Sequence, residues 1–470
     1  MSVIVKTFRT PVGNYVYDRG TNSILAVNDA EFAALKRVEA EESTDDDWKL
    51  LQRYVAQGYL PENTIKKIAY PEKYQFDLNS RVQGVTLQVT QDCNLRCSYC
   101  AYSGSYEHQR KHNKKTMSLV IMKKALDFAL ARSREVGTFA VGFYGGEPLL
   151  AMENIKLCIE YVKEHFAGRE FLYTITTNGT LFDDDNISFF IENDVVISIS
   201  FDGPRELHDL NRVYPDGRGS FDDIMRNVEY IKEHYQDFFA SISFLSIIAP
   251  GVDFSCVNTF FEADTVISDS GIMTNTVNTY SAKEDVVYDE QYYVTATYQQ
   301  MKALLAALGL YSEKKVSKLF RTELSQVEIV YQRLSKSRPS ETTHPSGPCI
   351  PGAMRLFVST DGTLYPCERV NEDSEIMKIG HVDTGFDFEK IDKLINVGKL
   401  TEEECIRCWN FLNCNLCCAA ADGDTKLSRD KRLRNCVSAM AGTVNQLRII
   451  CLLLENGYDF EHKVKEREVR

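Results

Sequence analysis

Three cysteines lie close together in the first quarter of the chain, at Cys93, Cys97 and Cys100, directly after the strand-like run Gly84–Thr90. A cubane iron–sulfur cluster takes four thiolates. This stretch provides three, so one iron of such a cluster would stay open to another ligand. Zinc sites are usually closed by four ligands, and the sequence nearby offers no fourth. The spacing C-x3-C-x2-C therefore favours an open iron–sulfur cluster, with a zinc knuckle or three unrelated thiols as alternatives.

With Tyr99 before its last cysteine, this motif resembles the signature of the radical S-adenosylmethionine (SAM) enzymes. In that family the open iron binds the amino and carboxylate groups of SAM. Electron transfer then cleaves SAM to methionine and a 5′-deoxyadenosyl radical, which abstracts hydrogen from an unactivated carbon. The cofactors carry the chemistry and the protein positions them.

A second group of seven cysteines follows near the other end of the chain: Cys349, Cys367, Cys405, Cys408, Cys414, Cys418 and Cys436. Their spacing resembles the SPASM domain, which holds two auxiliary iron–sulfur clusters, so the resemblance implies three [4Fe–4S] clusters in all. By the same resemblance the ligands form an outer set, Cys405, Cys408, Cys414 and Cys436, and an inner set, Cys349, Cys367 and Cys418. The alternative is a pair of structural zinc sites.

The inner set is one ligand short. Some SPASM enzymes, such as sulfatase maturases, have a further cysteine a few residues before the first, but residues 341–348 contain none. Three groups could supply the ligand: His344, Cys417 or the cysteine thiolate of a substrate, which is the soft ligand that such an iron prefers. A substrate thiolate held beside a carbon that has lost hydrogen would form an intramolecular thioether.

Glu368 directly follows Cys367. It matches an Asp proposed as a base in sulfatase maturases, so the resemblance implies a general base. The alternative is a salt bridge with Arg369. Cys158 and Cys256 share helical faces with apolar residues and are predicted to lie in the core.

Strand-like and helix-like stretches alternate through the middle of the chain, which predicts an α/β fold. The predicted strands are 84–90, 138–144, 171–176, 195–201, 240–248 and 272–278. Six such units match the partial (β/α)6 barrel of the radical SAM family. Functional residues of such a barrel lie at the carboxyl ends of its strands.

Polar residues and glycines stand at those ends. By resemblance, the residues that contact SAM are Tyr99, Gly145, Gly146, Glu147, Asn178, Ser200, Asp202 and Arg212. The two glycines let a backbone approach a ligand closely, and Glu147 can take the SAM amine. An arginine fork suits the SAM carboxylate, although Arg212 could instead form a surface ion pair.

Three short strands and then helices precede the barrel. Asn28 and Glu31 form a capping pattern at the start of the first helix, and a further helix is predicted to begin at Pro61. This order resembles the winged-helix leader-peptide recognition element of ribosomal peptide maturases, in which a leader peptide adds a strand to the sheet edge. The alternative is a packing cap for the barrel.

We therefore expect five regions: a winged-helix-like module over 1–80, the barrel over 84–280, a helical bridge over 281–340, the SPASM domain over 341–440, and a helix with a tail over 441–470. The net charge of −13 and a pI near 5.3 argue against a nucleic-acid partner. No signal peptide or apolar run long enough for a membrane span is evident. We expect a cytoplasmic protein whose clustered cysteines bind metal.

These observations predict a radical SAM peptide maturase that installs thioether cross-links, of the ranthipeptide or sactipeptide type, in a ribosomally made precursor peptide. Its partners would be that peptide with its leader and an electron donor such as flavodoxin or ferredoxin. Alternatives within the class are carbon–carbon cross-linking and formylglycine formation. The alternative outside the class is a non-catalytic, zinc-stabilised peptide-binding protein.

Overall fold

The computed structural model describes residues 3–263, 266–267, 270–320, 323–334 and 338–461. The strands are β1 Val5–Arg9, β2 Asn14–Asp18, β3 Ser23–Val27, β4 Lys67–Ile68, β5 Gly84–Thr90, β6 Thr138–Gly145, β7 Glu170–Thr177, β8 Val196–Ser200, β9 Ser243–Ile248, β10 Gly271–Thr276, β11 Thr342–Thr343, β12 Leu356–Val358, β13 Thr363–Tyr365, β14 Gly380–His381 and β15 Gly385–Phe386. The helices are α1 Asp29–Glu39, α2 Asp45–Ala56, α3 Tyr74–Ser80, α4 Leu119–Leu130, α5 Met152–His165, α6 Asp184–Glu192, α7 Arg205–Asn211, α8 Phe221–His234, α9 Gln236–Ser241, α10 Phe254–Glu262, α11 Glu290–Ala307, α12 Glu323–Arg333, α13 Phe388–Ile395, α14 Glu402–Arg407 and α15 Arg429–Glu455.

The first three strands form an antiparallel sheet in the order β1-β2-β3. Helix α1 begins as predicted: the Asn28 side chain accepts from the Glu31 backbone N–H, and the Glu31 carboxylate accepts from the Asn28 N–H. The helix predicted from Pro61 is wrong. Residues 61–66 are not helical, and the next two form β4, which pairs in parallel with β11. Contacts with the C-terminal half of the chain hold this segment extended.

The central sheet has the order β10-β9-β8-β7-β6-β5-β12-β13-β14-β15. The strands from β5 to β10 are parallel, and helices on the connections bury the apolar face. The predicted α/β fold is confirmed. Strand β9 begins later than predicted because residues 236–241 form α9. The carboxyl ends of the parallel strands share one edge of the sheet and position the site described below.

The sheet does not stop at β5. Strand β12 pairs in parallel with β5, and β13, β14 and β15 continue from it as antiparallel strands. The sequence did not predict this continuation, because parallel pairing of residues about 270 positions apart leaves no local pattern. Its consequence is that Cys349 and Cys367 of the inner set, which flank β12 and β13, are tied to the first strand of the barrel.

Among the described residues of the predicted bridge over 281–340, the helices α11 and α12 are separated by short 3-10 turns at Glu313–Lys315 and Lys318–Phe320. The tail predicted after the last helix falls on 462–470, outside the described residues.

Helix α15 is much longer than the C-terminal helix expected from the sequence. By length and composition alone it could cross a membrane. However, its residues Leu447, Ile450 and Cys451 are buried against Phe8 and Tyr17 of the N-terminal sheet, as in a core helix. The same helix carries Cys436, so it positions one thiol of the outer set.

The two cysteines that were predicted to be core residues differ. Cys158 is fully buried in α5, which confirms the prediction. Cys256 is exposed, and its thiol lies 3.3 Å from Asp253 Oδ2. The prediction for Cys256 is wrong because α10 buries Phe254, Val257 and Phe261 and turns Cys256 to solvent.

Candidate active site

The three cysteines of the first motif lie on the loop after β5. Backbone N–H groups reach two of their sulfurs: Leu95 N lies 3.4 Å from Cys93 Sγ, and Tyr102 N lies 3.4 Å from Cys100 Sγ. Burial, followed by the Glu147 carboxylate, raises the pKa of Cys93 to about 12. N–H donors aimed at sulfur are the usual surroundings of cluster thiolates. The loop therefore suits the predicted cluster.

The two glycines after β6 make room for this loop. A Cβ on Gly145 would lie 2.0 Å from Thr90 O, and one on Gly146 would lie 1.9 Å from Asp92 O. Backbone bonds hold the two segments together, since Gly146 N–H donates to Thr90 O (3.0 Å). Glycine is required here because two backbones meet. The turn thus positions the cysteine loop, and its contact with SAM stays a prediction.

Glu147 is buried at the end of β6 and accepts three hydrogen bonds. Its donors are Leu149 N (3.0 Å), Thr177 Oγ1 (2.7 Å) and Asn178 N (2.7 Å). Burial raises the pKa of Glu147 to about 6 despite these donors. The carboxylate therefore ties the ends of β6 and β7 together beside Cys93.

Asn178 positions the cysteine loop from the next strand. Its Nδ2 donates to Asn94 Oδ1 (2.8 Å), while Asn94 Nδ2 donates to Thr180 Oγ1 (2.8 Å). Ser200 is buried at the end of β8. The predicted SAM residues thus stand at the carboxyl ends of neighbouring strands, as expected for a barrel site.

Arg212 and Asp202 form a buried ion pair. Arg212 Nε lies 2.9 Å from Asp202 Oδ2, and Nη2 lies 3.1 Å from Oδ1. Tyr99 donates its hydroxyl to the same carboxylate, and Arg212 Nη1 lies 4.0 Å from Cys97 Sγ. The ion-pair alternative for Arg212 holds, but the pair is buried rather than on the surface. Contact of Arg212 with the SAM carboxylate stays a prediction.

Two residues beside the first cysteine motif, His112 and Arg110, were not predicted from the sequence. His112 Nε2 lies 3.8 Å from Cys100 Sγ, and burial lowers the pKa of His112 to about 4, so the ring is neutral. Arg110 covers the ring of Tyr102 and pairs with Glu372 at 3.0 Å. This buried pair joins the cysteine loop to the C-terminal part of the chain. No motif marks these residues.

The inner cysteine set comes together through two backbone contacts. A Cβ on Gly347 would lie 2.6 Å from Leu416 O, so only glycine lets the segment before Cys349 pass the segment before Cys418. Gly352 N–H donates to Pro366 O (3.1 Å), next to Cys367.

Electrostatic effects confirm that the inner thiols are neighbours. Hydrogen bonding with Cys417, burial, and the thiols of Cys367 and Cys349 all raise the pKa of Cys418. The predicted inner set is therefore gathered in one place, together with Cys417.

Glu368 directly follows Cys367 of this set, and only one of its two carboxylate oxygens forms ion pairs. Arg355 Nη1 and Arg369 Nε approach Oε1, at 2.6 and 3.6 Å. Oε2 is buried and has no hydrogen-bond partner among the described residues. Burial, then the carboxylate of Glu368 and the thiol of Cys100, raises the pKa of Tyr144. Tyr144, which was not predicted from the sequence as a site residue, is therefore within electrostatic range of both Cys100 and Glu368.

All four thiols of the outer set line one cavity of about 370 Å³, together with Arg432 and Asn410. Cys405 lies on α14 and Cys436 on α15. Arg432 Nε donates to Thr401 Oγ1 (3.1 Å), whereas its Nη1 is buried and has no partner among the described residues. The cavity and the unpaired guanidinium N–H fit a bound anionic cluster.

Within the described ranges, no group of three or more His, Cys, Asp or Glu side chains is arranged to hold one metal ion.

Comparison with known proteins agrees with this geometry. The model of the radical SAM superfamily matches residues 87–262. The cysteine-type anaerobic sulfatase-maturating enzyme of Clostridium novyi is 32% identical over 152 residues, which is 32% of this chain and 40% of that enzyme. The serine-type anaerobic sulfatase-maturating enzyme of Bacteroides thetaiotaomicron is 33% identical over 143 residues, or 30% of this chain and 34% of that enzyme. The chain thus matches less than half the length of these relatives.

A solved structure, native anSMEcpe with bound AdoMet, superimposes with a TM-score of 0.57 and 21% identity, covering 78% of this chain and 98% of that one. This likeness concerns the fold. Taken with the match over 87–262 and the cysteine loop at the end of β5, it shows that the chain has the α/β fold seen in radical SAM enzymes.

Proposed function

We propose that the chain is a radical SAM peptide maturase that forms thioether cross-links in a precursor peptide. The observation that carries this proposal is the gathering of the inner thiols with Glu368, whose buried Oε2 has no partner among the described residues, around the sheet that also carries the first cysteine motif. The site for a peptide sulfur and a base would thus share one sheet with the site of radical formation. The named relatives, which are sulfatase-maturating enzymes, support a peptide or protein substrate.

Three [4Fe–4S] clusters would be held by Cys93, Cys97 and Cys100, by the inner set, and by the outer set. When bound, SAM and the first cluster supply the 5′-deoxyadenosyl radical that removes one hydrogen from a substrate carbon. The chain's own residues position this chemistry. Asn178 and the Gly145–Gly146 turn fix the cysteine loop, and the Arg212–Asp202 pair closes it from the other side.

Glu368 would take the proton of the substrate thiol, since Oε2 is buried and unpartnered. Formation of a thioether removes two hydrogens from the peptide. One leaves as a hydrogen atom and ends in 5′-deoxyadenosine. The other leaves as a proton, which goes to the base, and an electron, which returns to the external redox protein. Burial keeps water away from this centre and strengthens its electrostatic interactions.

The N-terminal sheet would bind the leader. Within the described residues β3 pairs only with β2, so its outer edge can take an added strand. Hydrogen exchange of the full chain with and without precursor peptide tests this. We expect slower exchange at 23–27 when the peptide is bound. Unchanged exchange there, with peptide bound, would contradict leader binding at this edge.

A cysteine-bearing peptide, incubated anaerobically with reconstituted enzyme, SAM and reductant, tests the thioether. We expect a loss of two hydrogens per link and cysteines that resist alkylation. The same mass loss with alkylatable cysteines would refute a carbon–sulfur bond and favour carbon–carbon linkage. The Glu368→Gln variant should still cleave SAM but form little product, whereas Glu389→Gln, an exposed control on α13, should match the parent.

A second candidate is the oxidation of a residue in a sulfatase. The names of the relatives and the matching position of Glu368 favour it. A sulfatase-derived peptide in the same assay would separate the two functions, since conversion of that peptide without any cross-link would replace the first proposal.

A further inference from the structure

Cys417 is a thiol that the predicted ligand sets do not use, although it lies among the inner set. After burial, Cys417 is the first neighbouring group that raises the pKa of Cys349. It also contributes to the raised pKa of Cys367 and of Cys418. Cys417 is therefore within electrostatic range of all three inner thiols.

The backbone explains why Cys417 is near them. The close approach of Gly347 to Leu416 brings the segment of Cys349 alongside the segment that carries Cys417. Ser346 Oγ donates to Cys414 O (2.7 Å) and holds the two segments together. Cys417 is extended, with φ −100° and ψ −172°, and directly precedes the 3-10 helix Cys418–Ala421. Its position is therefore set by packing.

The backbone after Cys417 fixes its place. The Ala420 N–H donates to Cys417 O (3.2 Å), so the turn that begins at Cys418 holds Cys417 at its start.

His344, the other internal candidate for the missing ligand, is engaged elsewhere. Its ring packs against Tyr70 with 4.0 Å between centroids, and Nδ1 lies 2.8 Å from Pro345 O. Burial and the nearby Lys73 lower the pKa of His344. The structure therefore favours Cys417 over His344.

We propose that Cys417 is the fourth protein ligand of the inner auxiliary cluster when no peptide is bound. The inference rests on the auxiliary clusters of the proposed function and adds a step to it. A peptide thiol would reach the cluster only by exchange with Cys417: Glu368 would take the proton of the peptide thiol, the peptide sulfur would replace Cys417, and the released Cys417 thiolate would take that proton from Glu368. No electron is transferred in this exchange.

The test uses the full-length chain with Cys93, Cys97 and Cys100 changed to Ala, so that only the auxiliary clusters remain. About eight iron atoms per chain are expected, four for each cluster. Cys417→Ala and, as a control, His344→Ala are added separately. Each reduced protein is mixed with ¹⁵N-imidazole and examined by electron–nuclear double resonance for ¹⁵N coupling to a cluster.

We expect no ¹⁵N coupling in the parent or in His344→Ala, and clear coupling in Cys417→Ala, where an iron has lost its ligand. Coupling in the parent would overturn the inference, because the iron would already be open. Coupling in His344→Ala alone, or in none of the proteins, would also overturn it.

If Cys417→Ala does not fold, the parent and Cys417→Ser are compared. Serine is a weaker ligand, so an unchanged spectrum of the inner cluster would count against Cys417. The readout needs no peptide. A failed thioether assay with the expected coupling would therefore reject the peptide chemistry and leave the ligand assignment standing.

Discussion

Arg212 holds Asp202 by two hydrogen bonds in a buried pair, directly beside Cys97. Burial opposes the charged guanidinium, but the carboxylate outweighs it and raises the pKa of Arg212 well above its usual value. The arginine expected to face the SAM carboxylate therefore first stabilises the site itself. Removing either Arg212 or Asp202 would leave the other as an uncompensated charge in the protein interior.

Removing this arginine should destabilise the fold. Arg212→Met leaves Asp202 buried without its partner, which typically costs about 3–5 kcal/mol. Anaerobic denaturant unfolding measures the loss. The control is Arg205→Met, which removes an exposed pair with Asp222 and should change little. Equal losses in the two variants would show that burial of the Arg212 pair is energetically unimportant.

Glu147 should make stability depend on pH. Its pKa is raised from 4.5 to about 6 in the folded chain because of burial. Between these values the folded state holds a proton that the unfolded state releases. The contribution is therefore full below about pH 4.5 and is lost as the pH rises through 6, by about 2 kcal/mol.

The Glu147→Gln variant lacks this titration. Between pH 4.5 and 6.5 we expect the unfolding free energy of the parent to fall relative to that of the Glu147→Gln variant. Subtracting the two curves removes the effect of other titrating groups. A difference that is constant over this range would refute the assigned shift.

His112 should tune the first cluster. Nε2 of His112 lies 3.8 Å from Cys100 Sγ, and in the neutral tautomer protonated at Nε2 it would donate to this sulfur and stabilise the reduced, more negative cluster. His112→Ala should therefore lower the reduction potential, as measured by titration followed with electron paramagnetic resonance, and slow SAM cleavage. The control is His234→Ala, an exposed histidine on α8. A potential that His112→Ala leaves unchanged would exclude this role.

Arg432 should act in the same way on the outer cluster. Its unpaired Nη1 lies in the cavity with the four outer thiols, so Arg432→Gln removes a positive charge from their surroundings. We expect a more negative potential for that cluster and unchanged SAM cleavage. Arg434→Gln, an exposed position two residues along α15, is the matched control. The same shift in both variants would indicate a general charge effect.

Local patterns in the sequence were enough to predict the cysteine motifs, the α1 cap and the alternation of strands and helices. Each depends on residues a few positions apart, so spacing and periodicity carry the information. The confirmed fold followed from these patterns, as did the placement of the glycine turn and Asn178 at strand ends.

Contacts between distant segments decided the rest. The Arg110–Glu372 pair, the pairing of β12 with β5, and the meeting of Gly347 with Leu416 each join residues far apart in the chain. Exposure of Cys256 likewise depended on which face of α10 met the core. Spacing supplied two internal candidates for the missing ligand, and only tertiary packing separated Cys417 from His344, because proximity across the chain leaves no local signal.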